Sequence, residues 1–295
     1  MFWFTVVLLF FLSLLVLASS ASEIIGKHKI LGEFSLQRSL KVFEYKENRL
    51  NTLNGVRALS MLWVIMGHEY SFNIPYSANG IDLEPQISNN FFLIVEGGLM
   101  AVDTFFFVGG FLAAYAVLRE KWQSIFKYPL AIVNRYLRLV PAYFIAILIY
   151  YTLFPHGGSG PFWKNGIAGT QFCGHMWRSL LFVDNLIDNG IEMCMGWGWY
   201  LQNDMQIFVY SMLLLALYSR SKLYGFMVTT WSILASLTLS MASTYQNHYH
   251  YLLHIEDFYG WGNYLTYLYA KPWIRCPPYL YGLLLGILYT EFLQE

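Results

Sequence analysis

Arg57, His68, Asp103, Arg135, Arg138 and Asp204 are ionisable side chains that stand inside otherwise apolar runs of this 295-residue sequence. Charges at such depths are costly in hydrocarbon and by default mark substrate or proton pathways. Arg57 and His68 are eleven residues apart. That is roughly three helical turns plus 20°, so both project from one face about 16 Å apart along the axis. A histidine oriented by a carboxylate is the usual general base for activating a hydroxyl, because imidazole titrates near neutrality. The forked donors of arginine suit phosphate oxygens. The expected chemistry is therefore an anionic group, such as a polyphosphate, held by Arg57, Arg135 and Arg138. Proton transfer would occur at His68, with Asp103 or Asp204 orienting the ring or stabilising the imidazolium. Spacing does not choose between the two aspartates. The same charges also admit a structural reading: ion pairs that hold helices together, a snorkelling Arg57 and an interfacial His68.

The elements that must position these residues are apolar helices. The chain is 57% hydrophobic and 12% charged, with a mean hydropathy of +0.43, whereas soluble domains carry about a quarter charged residues. Lys and Arg (18) balance Asp and Glu (18), which leaves no basic face for nucleic acid. Aromatic residues at 19% fit the belts found at bilayer boundaries. Seven runs, near 1–20, 53–72, 91–118, 129–154, 198–217, 223–243 and 277–293, are long enough to cross about 30 Å of hydrocarbon. They are continuous rather than alternating, so the expected fold is an all-α multi-span helical bundle.

Cytoplasmic loops keep the positive excess. Lys27, Lys29, Arg38, Lys41, Lys46, Arg49, Arg119, Lys121, Lys127, Arg220 and Lys222 make eleven cations in one alternating set of segments, against Lys164, Arg178, Lys271 and Arg275 in the other. This bias puts the N-terminus and residues 73–90, 155–197 and 244–276 outside, and the 21–52 linker inside. The expectation is a multi-pass protein of the plasma membrane or an endomembrane. The first run could instead be a signal peptide, since Ser19-Ser20-Ala21 offers a cleavage site, although no positive charge precedes it. On this topology Asp103, Asp204 and His68 share an outer layer, while Arg57, Arg135 and Arg138 form an inner one.

Cys173 and Cys194 fall in an outer loop with 20 residues between them, which favours a disulfide there, with Cys276 as the competing thiol. Gly97, Gly98, Gly109 and Gly110 permit close helix approach or an open, water-lined segment. His248, His250 and His254, with Glu256 and Asp257 nearby, could bind a metal, but an exposed aromatic-rich loop is the better reading. No metal site is expected. The HGGSG stretch from His156 to Gly160 reads as an outer turn, because no G-x-S-x-G nucleophile elbow accompanies it.

Several blocks resemble the acyltransferase family 3 membrane proteins. Leu53 to Ser60, continuing to His68, resembles the family's opening helix with its Arg-x10-His. VDTFFFVGGFL (Val102 to Leu112) resembles its Val-Asp-x-Phe-Phe block, and Arg135-Tyr136-Leu137-Arg138 with Pro141 resembles its Arg-x-x-Arg and proline. The segment from Trp199 through Asp204 to Gln206 resembles its Trp-Ser-Leu-x-x-Glu. The wording is most similar to the animal nose resistant to fluoxetine branch, as in CGHMWRSLLFVDN, CMGWGWYLQNDMQ and KPWIRCPPYLYGLLLG. Gly109 and Asp204 stand where many members have Ser and Glu.

The resemblance covers about residues 40 to 290 and implies an acyltransferase 3-like transmembrane domain over 53–295. Its function would be transfer of an acyl group from cytoplasmic acyl-coenzyme A, a cosubstrate rather than a bound cofactor, to a hydroxyl-bearing or lipidic acceptor. His68 would be the base, with Arg57, Arg135 and Arg138 near the donor. The family bundle holds more helices than this chain, so the resemblance also implies a C-terminally incomplete product whose truncation could abolish activity. The alternative function is a non-enzymatic lipid or hydrophobic-drug transporter using the same intramembrane charges. A seven-span receptor is disfavoured: its Asn134-Arg135-Tyr136 triplet opens a span that leaves the cytoplasm, and no Asn-Pro-x-x-Tyr follows.

Overall fold

The computed structural model describes residues 1–25, 31–41, 44, 50–73, 85, 89–122, 124–187, 192–249 and 262–293. Its long elements are α1 (Phe2–Ile25), α2 (Asn51–Asn73), α3 (Gly98–Arg119), α4 (Lys127–Leu148), α5 (Trp199–Arg220), α6 (Lys222–Asn247) and α7 (Pro272–Phe292). Among the described residues there is no strand. Four segments are long and apolar enough to cross a membrane: Phe2–Ser22, Asn90–Arg119, Lys127–His156 and Lys222–Asn247. The expected count of seven is therefore not met by apolarity alone. The remaining three, α2, α5 and α7, have 23, 22 and 21 residues. They carry Arg57 and His68, the Gln202 to Asp204 triplet with Gln206, and Arg275 respectively, and these polar residues lower their hydropathy.

Boundaries depart from the apolar runs for local reasons. α7 begins five residues before the run at 277–293, because Pro272 is suited to the first helical position, where no N–H is needed. Arg275, expected in an outer loop, therefore lies inside a helix, and Lys271 just before it is only 3% exposed. The run at 91–118 is a short helix, Leu93–Glu96, followed by α3. α4 contains Pro141 and continues as a π-helical turn over Ile149–Leu153. α6 stops at His248, whose φ of 52° closes the last turn in the left-handed region. The expected linker is partly helical: Leu36–Leu40 folds back on α1, and its Leu36 N–H donates to Ser20 Oγ at 3.0 Å.

Helix packing follows the small residues. α3 and α7 run in the same direction and touch where Gly110 meets the Tyr279 carbonyl and Gly282 meets the Phe107 carbonyl. A Cβ at either glycine would collide with that backbone. Without a hydrophobic drive between lipid-solvated helices, such close approach is how they gain contact. Of the two expectations for the glycine-rich stretch, close packing is the outcome at Gly110. Gly67 of α2 lies against Gly98 of α3, where Thr104 Oγ1 donates to Ser60 Oγ at 2.6 Å. The buried core between α3, α5 and α7 is built from Phe106, Ile207, Met212, Leu215, Tyr279 and Leu283. α1 is peripheral, and its Phe2 ring meets His156 at the far end of α4, with centroids 5.0 Å apart. The first helix thus starts on the same side of the bundle as the loop that follows α4.

Gly282→Ala forces a methyl group into the Phe107 carbonyl and is expected to destabilise by about 1–3 kcal/mol, as overpacking does. Gly55→Ala, at a position with nothing within 4 Å, is expected to be neutral or to stabilise α2 by up to about 1 kcal/mol. Thermal unfolding of both variants in detergent micelles measures the contrast.

Candidate functional site

Two buried ion pairs organise the charges within the bundle. Arg135 of α4 donates from Nη2 to Asp204 Oδ2 of α5 at 2.5 Å, with side chains 21% and 7% exposed. Arg275 of α7 donates to Asp103 Oδ1 of α3 at 2.5 Å, with side chains 10% and 28% exposed. Each guanidinium also lies over an aromatic face, Arg135 over Phe208 at 4.4 Å and Arg275 over Tyr269 at 4.3 Å. These faces supply part of the solvation lost on burial. The Nε of each arginine has no hydrogen-bond partner among the described residues.

Counting along helix axes assigns Arg135 and Asp204 to opposite layers, yet they are directly bonded. Such counting assumes parallel helices that start level, and it omits the reach of a long arginine stem. The inner cationic and outer acid-imidazole tiers are accordingly not separate at this point. Around the pair, Asp204 Oδ1 lies 3.9 Å from where a Cβ on Gly109 would sit, and the Tyr279 ring 3.2 Å from it. The fold thus sets the Arg135–Asp204 pair beside Gly109 and the Tyr279 ring.

His68 is half-buried on α2, one residue beyond the Gly67 contact with α3. Its Nδ1 lies 2.9 Å from the Val64 carbonyl oxygen. A carbonyl only accepts, so a hydrogen bond here puts the ring proton on Nδ1 and leaves Nε2 as the basic nitrogen. Asp204 and Asp103 each pair with an arginine, Arg135 and Arg275, and the Val64 carbonyl is one hydrogen-bond partner of the imidazole.

Arg138 joins Arg135 in a groove of about 480 Å³ at the start of α4, lined also by Lys127, Asn134, Trp122 and Glu120. One acid against three cations makes the groove basic. Arg135 is shared between this groove and the buried Asp204.

Outside the spans, a buried polar network that the sequence reading passed over fixes the 173–194 loop. Cys173 and Cys194 form the expected disulfide. Asn185 donates from Nδ2 to Asn203 Oδ1 at 2.8 Å, and its backbone N–H donates to Gln202 Oε1 at 2.7 Å. Lys271 Nζ donates to the Asn185 carbonyl at 2.6 Å, and Gln206 Nε2 to the Phe182 carbonyl at 2.6 Å. Asp184 accepts from Ser179 Oγ and from Gln202 Nε2. Burial holds the Asp184 carboxyl above its ordinary value of 3.8, against the hydrogen bonds from Ser179 and Gln202 and the charges of Arg178 and His175. One signal in the sequence points to this cluster: the amides Gln202, Asn203 and Gln206 inside an otherwise apolar helix. Among the described residues no cluster of His, Cys, Asp or Glu is placed to hold a metal. His250, His254, Glu256 and Asp257 lie outside the described residues.

Asp103→Asn leaves Arg275 without a counter-charge. The expected cost is about 3 kcal/mol, the lower end for a broken buried pair, since Asp103 remains 28% exposed. The double variant Asp103→Leu/Arg275→Met should recover most of that loss in thermal unfolding. At Asp184 the folded state binds more protons than the unfolded chain between 3.8 and the raised folded value. Stability therefore falls as pH rises through that window. Asp184→Asn should flatten this slope in unfolding curves recorded across the window.

An acyltransferase domain of the acyltransferase 3 family matches residues 50–295. Nose resistant to fluoxetine protein 6 of Caenorhabditis elegans is 31% identical over 277 residues, which are 84% of this chain and 33% of that protein. Regulator of hypoxia-inducible factor 1 of the same species is 25% identical over 275 residues, 85% of this chain and 54% of that protein. The chain thus spans between a third and about half the length of these curated relatives. No solved structure matches it significantly. With the domain match covering the helices that carry Arg57, His68, Asp103, Arg135, Arg138 and Asp204, the chain belongs to the acyltransferase 3 family.

Proposed function

We propose that this domain transfers an acyl group from acyl-coenzyme A, bound from the cytoplasmic side, to a hydroxyl-bearing or lipidic acceptor. The observation that carries the reading is the basic groove of Lys127, Arg135 and Arg138. Its cations suit the phosphates of such a donor, and Arg135 links it to Asp204. Arg57, on α2, would add a further cation. His68 would serve as general base through Nε2, given the Nδ1 contact with Val64. In the proposed step the acceptor oxygen forms an ester bond to the acyl carbon while its proton passes to Nε2. The thioester carbon–sulfur bond breaks, and the leaving thiolate takes up the proton. Asp204 and Asp103 would act by holding Arg135 and Arg275 in register.

On this reading the protein is a multi-pass membrane enzyme of the plasma membrane or an endomembrane. The N-terminus would be extracytoplasmic, on the side of the disulfide-bearing loop. That sidedness is supported by the loop charge bias and by the contact of Phe2 with His156.

The test is acyl transfer by the purified protein in micelles, with labelled acyl-coenzyme A and hydroxyl acceptors. His68→Ala should lower turnover by about 10²–10⁴-fold, the range lost with a general base. Arg138→Ala and Lys127→Ala should raise KM for the donor with kcat little changed. Turnover unaffected by His68→Ala refutes the base role. Transbilayer lipid movement that persists in His68→Ala, with no labelled acceptor formed by the unsubstituted chain, refutes the enzymatic reading in favour of transport.

A further inference from the structure

A second cavity of about 480 Å³ lies between α5, α6 and α7, away from the basic groove. Its floor is Ile207, Ser236 and Cys276, exposed by 2%, 3% and 8%. Its rim is Tyr210, Leu239 and Trp273, exposed by 37%, 52% and 48%. Exposed large apolar side chains around a buried floor place its mouth on the outer flank of the bundle. The lower end, at Ser232, is ten residues along α6 from Lys222, about 15 Å from the inner end of that helix. The upper end is at Pro272, where α7 begins, beside Leu186 of the disulfide-bearing loop. The groove therefore runs from about the bilayer midplane to its outer face, the depth of one leaflet.

The hydroxyls, thiol and amide in its wall are already committed. Ser236 Oγ donates to the Trp273 carbonyl at 2.6 Å, and Cys276 Sγ to the same carbonyl at 3.8 Å. Tyr210 and Ser232 hydroxyls bond each other at 2.6 Å. Gln206 Nε2 donates to the Phe182 carbonyl and to Asn185 Oδ1. No ionisable acid or base other than the Cys276 thiol and the bonded Tyr210 lines it. A charged headgroup or sugar would find no counter-charge there and would lose its own hydration. A hydrocarbon chain meets neither penalty.

We propose that this groove is a binding site for one acyl chain of a phospholipid in the outer leaflet, entered sideways from the bilayer. The site is independent of the acyl-transfer reading, since it shares no lining residue with the basic groove. A lipid held against Ile207 and Cys276 would also brace α6 against α7 at the edge of the Asn185 network.

The test uses the purified chain reconstituted in phosphatidylcholine vesicles that contain a phosphatidylcholine with a diazirine in its acyl chain. After illumination, adducts are mapped by peptide mass spectrometry. Adducts on peptides covering 232–239 and 272–276 should exceed those at exposed lipid-facing positions such as Leu213 and Trp231 by at least about fivefold, a margin consistent with a coupling energy of about 1 kcal/mol. Ala235→Trp, which fills the groove from its exposed rim, should remove that excess and leave labelling elsewhere unchanged. Leu239→Trp serves the same purpose should Ala235→Trp not fold, with thermal unfolding as the check on both. Even labelling of all lipid-facing helices overturns the proposal. So does an excess that survives both substitutions, or chain-to-chain crosslinks at these peptides in place of lipid adducts, which would assign the groove to a second copy.

Discussion

A charge buried among helices in a membrane must find an opposite charge, and that requirement orders this bundle. Asp103 and Arg275 satisfy it between α3 and α7, where glycines bring two backbones together. Arg135 and Asp204 satisfy it between α4 and α5. Loss of either partner would leave a cation or anion that neither lipid nor the remaining side chains could solvate. The aromatic faces of Phe208 and Tyr269 act as second partners for the same guanidinium groups. The pairs thus set which helix faces meet, and packing of Phe106, Leu283 and Tyr279 fills the space that results.

This arrangement has a functional corollary. Arg135 belongs both to the basic groove at the start of α4 and to a buried carboxylate deeper in the bundle. One guanidinium therefore connects a basic groove with the interior. His68 Nδ1 lies against the Val64 carbonyl of its own helix, one turn back. The disulfide-bearing loop is held from below by Gln202, Asn203, Gln206 and Lys271. The top of α5 and the start of α7 are thereby locked to one cap, while the groove on the outer flank stays open toward lipid.

Much of the architecture was legible along the chain. Long apolar runs located the helices to within a few residues, and small residues in α3 marked a close approach. The two cysteines of the 155–197 segment pointed to the bond they form. Where the reading went astray, it did so at particular residues. Arg275 and Lys271 were counted as outer-loop charges, although Pro272 announces a helix start and both side chains are buried. Hydropathy hides the amides of α5, because its sum averages a buried polar stripe with the apolar one beside it.

By itself, the sequence determined that this is an all-α membrane protein, which ionisable residues lie within its helices, and to which family it belongs. Those properties are local, carried by composition, run length and motif spacing. Only the tertiary structure decided that Asp204 answers Arg135 and that Asp103 answers Arg275. Pairing depends on how far each helix is tilted, rotated and offset against its neighbours. Those rigid-body quantities come from side-chain packing across distant parts of the chain, and no periodicity within a single helix encodes them.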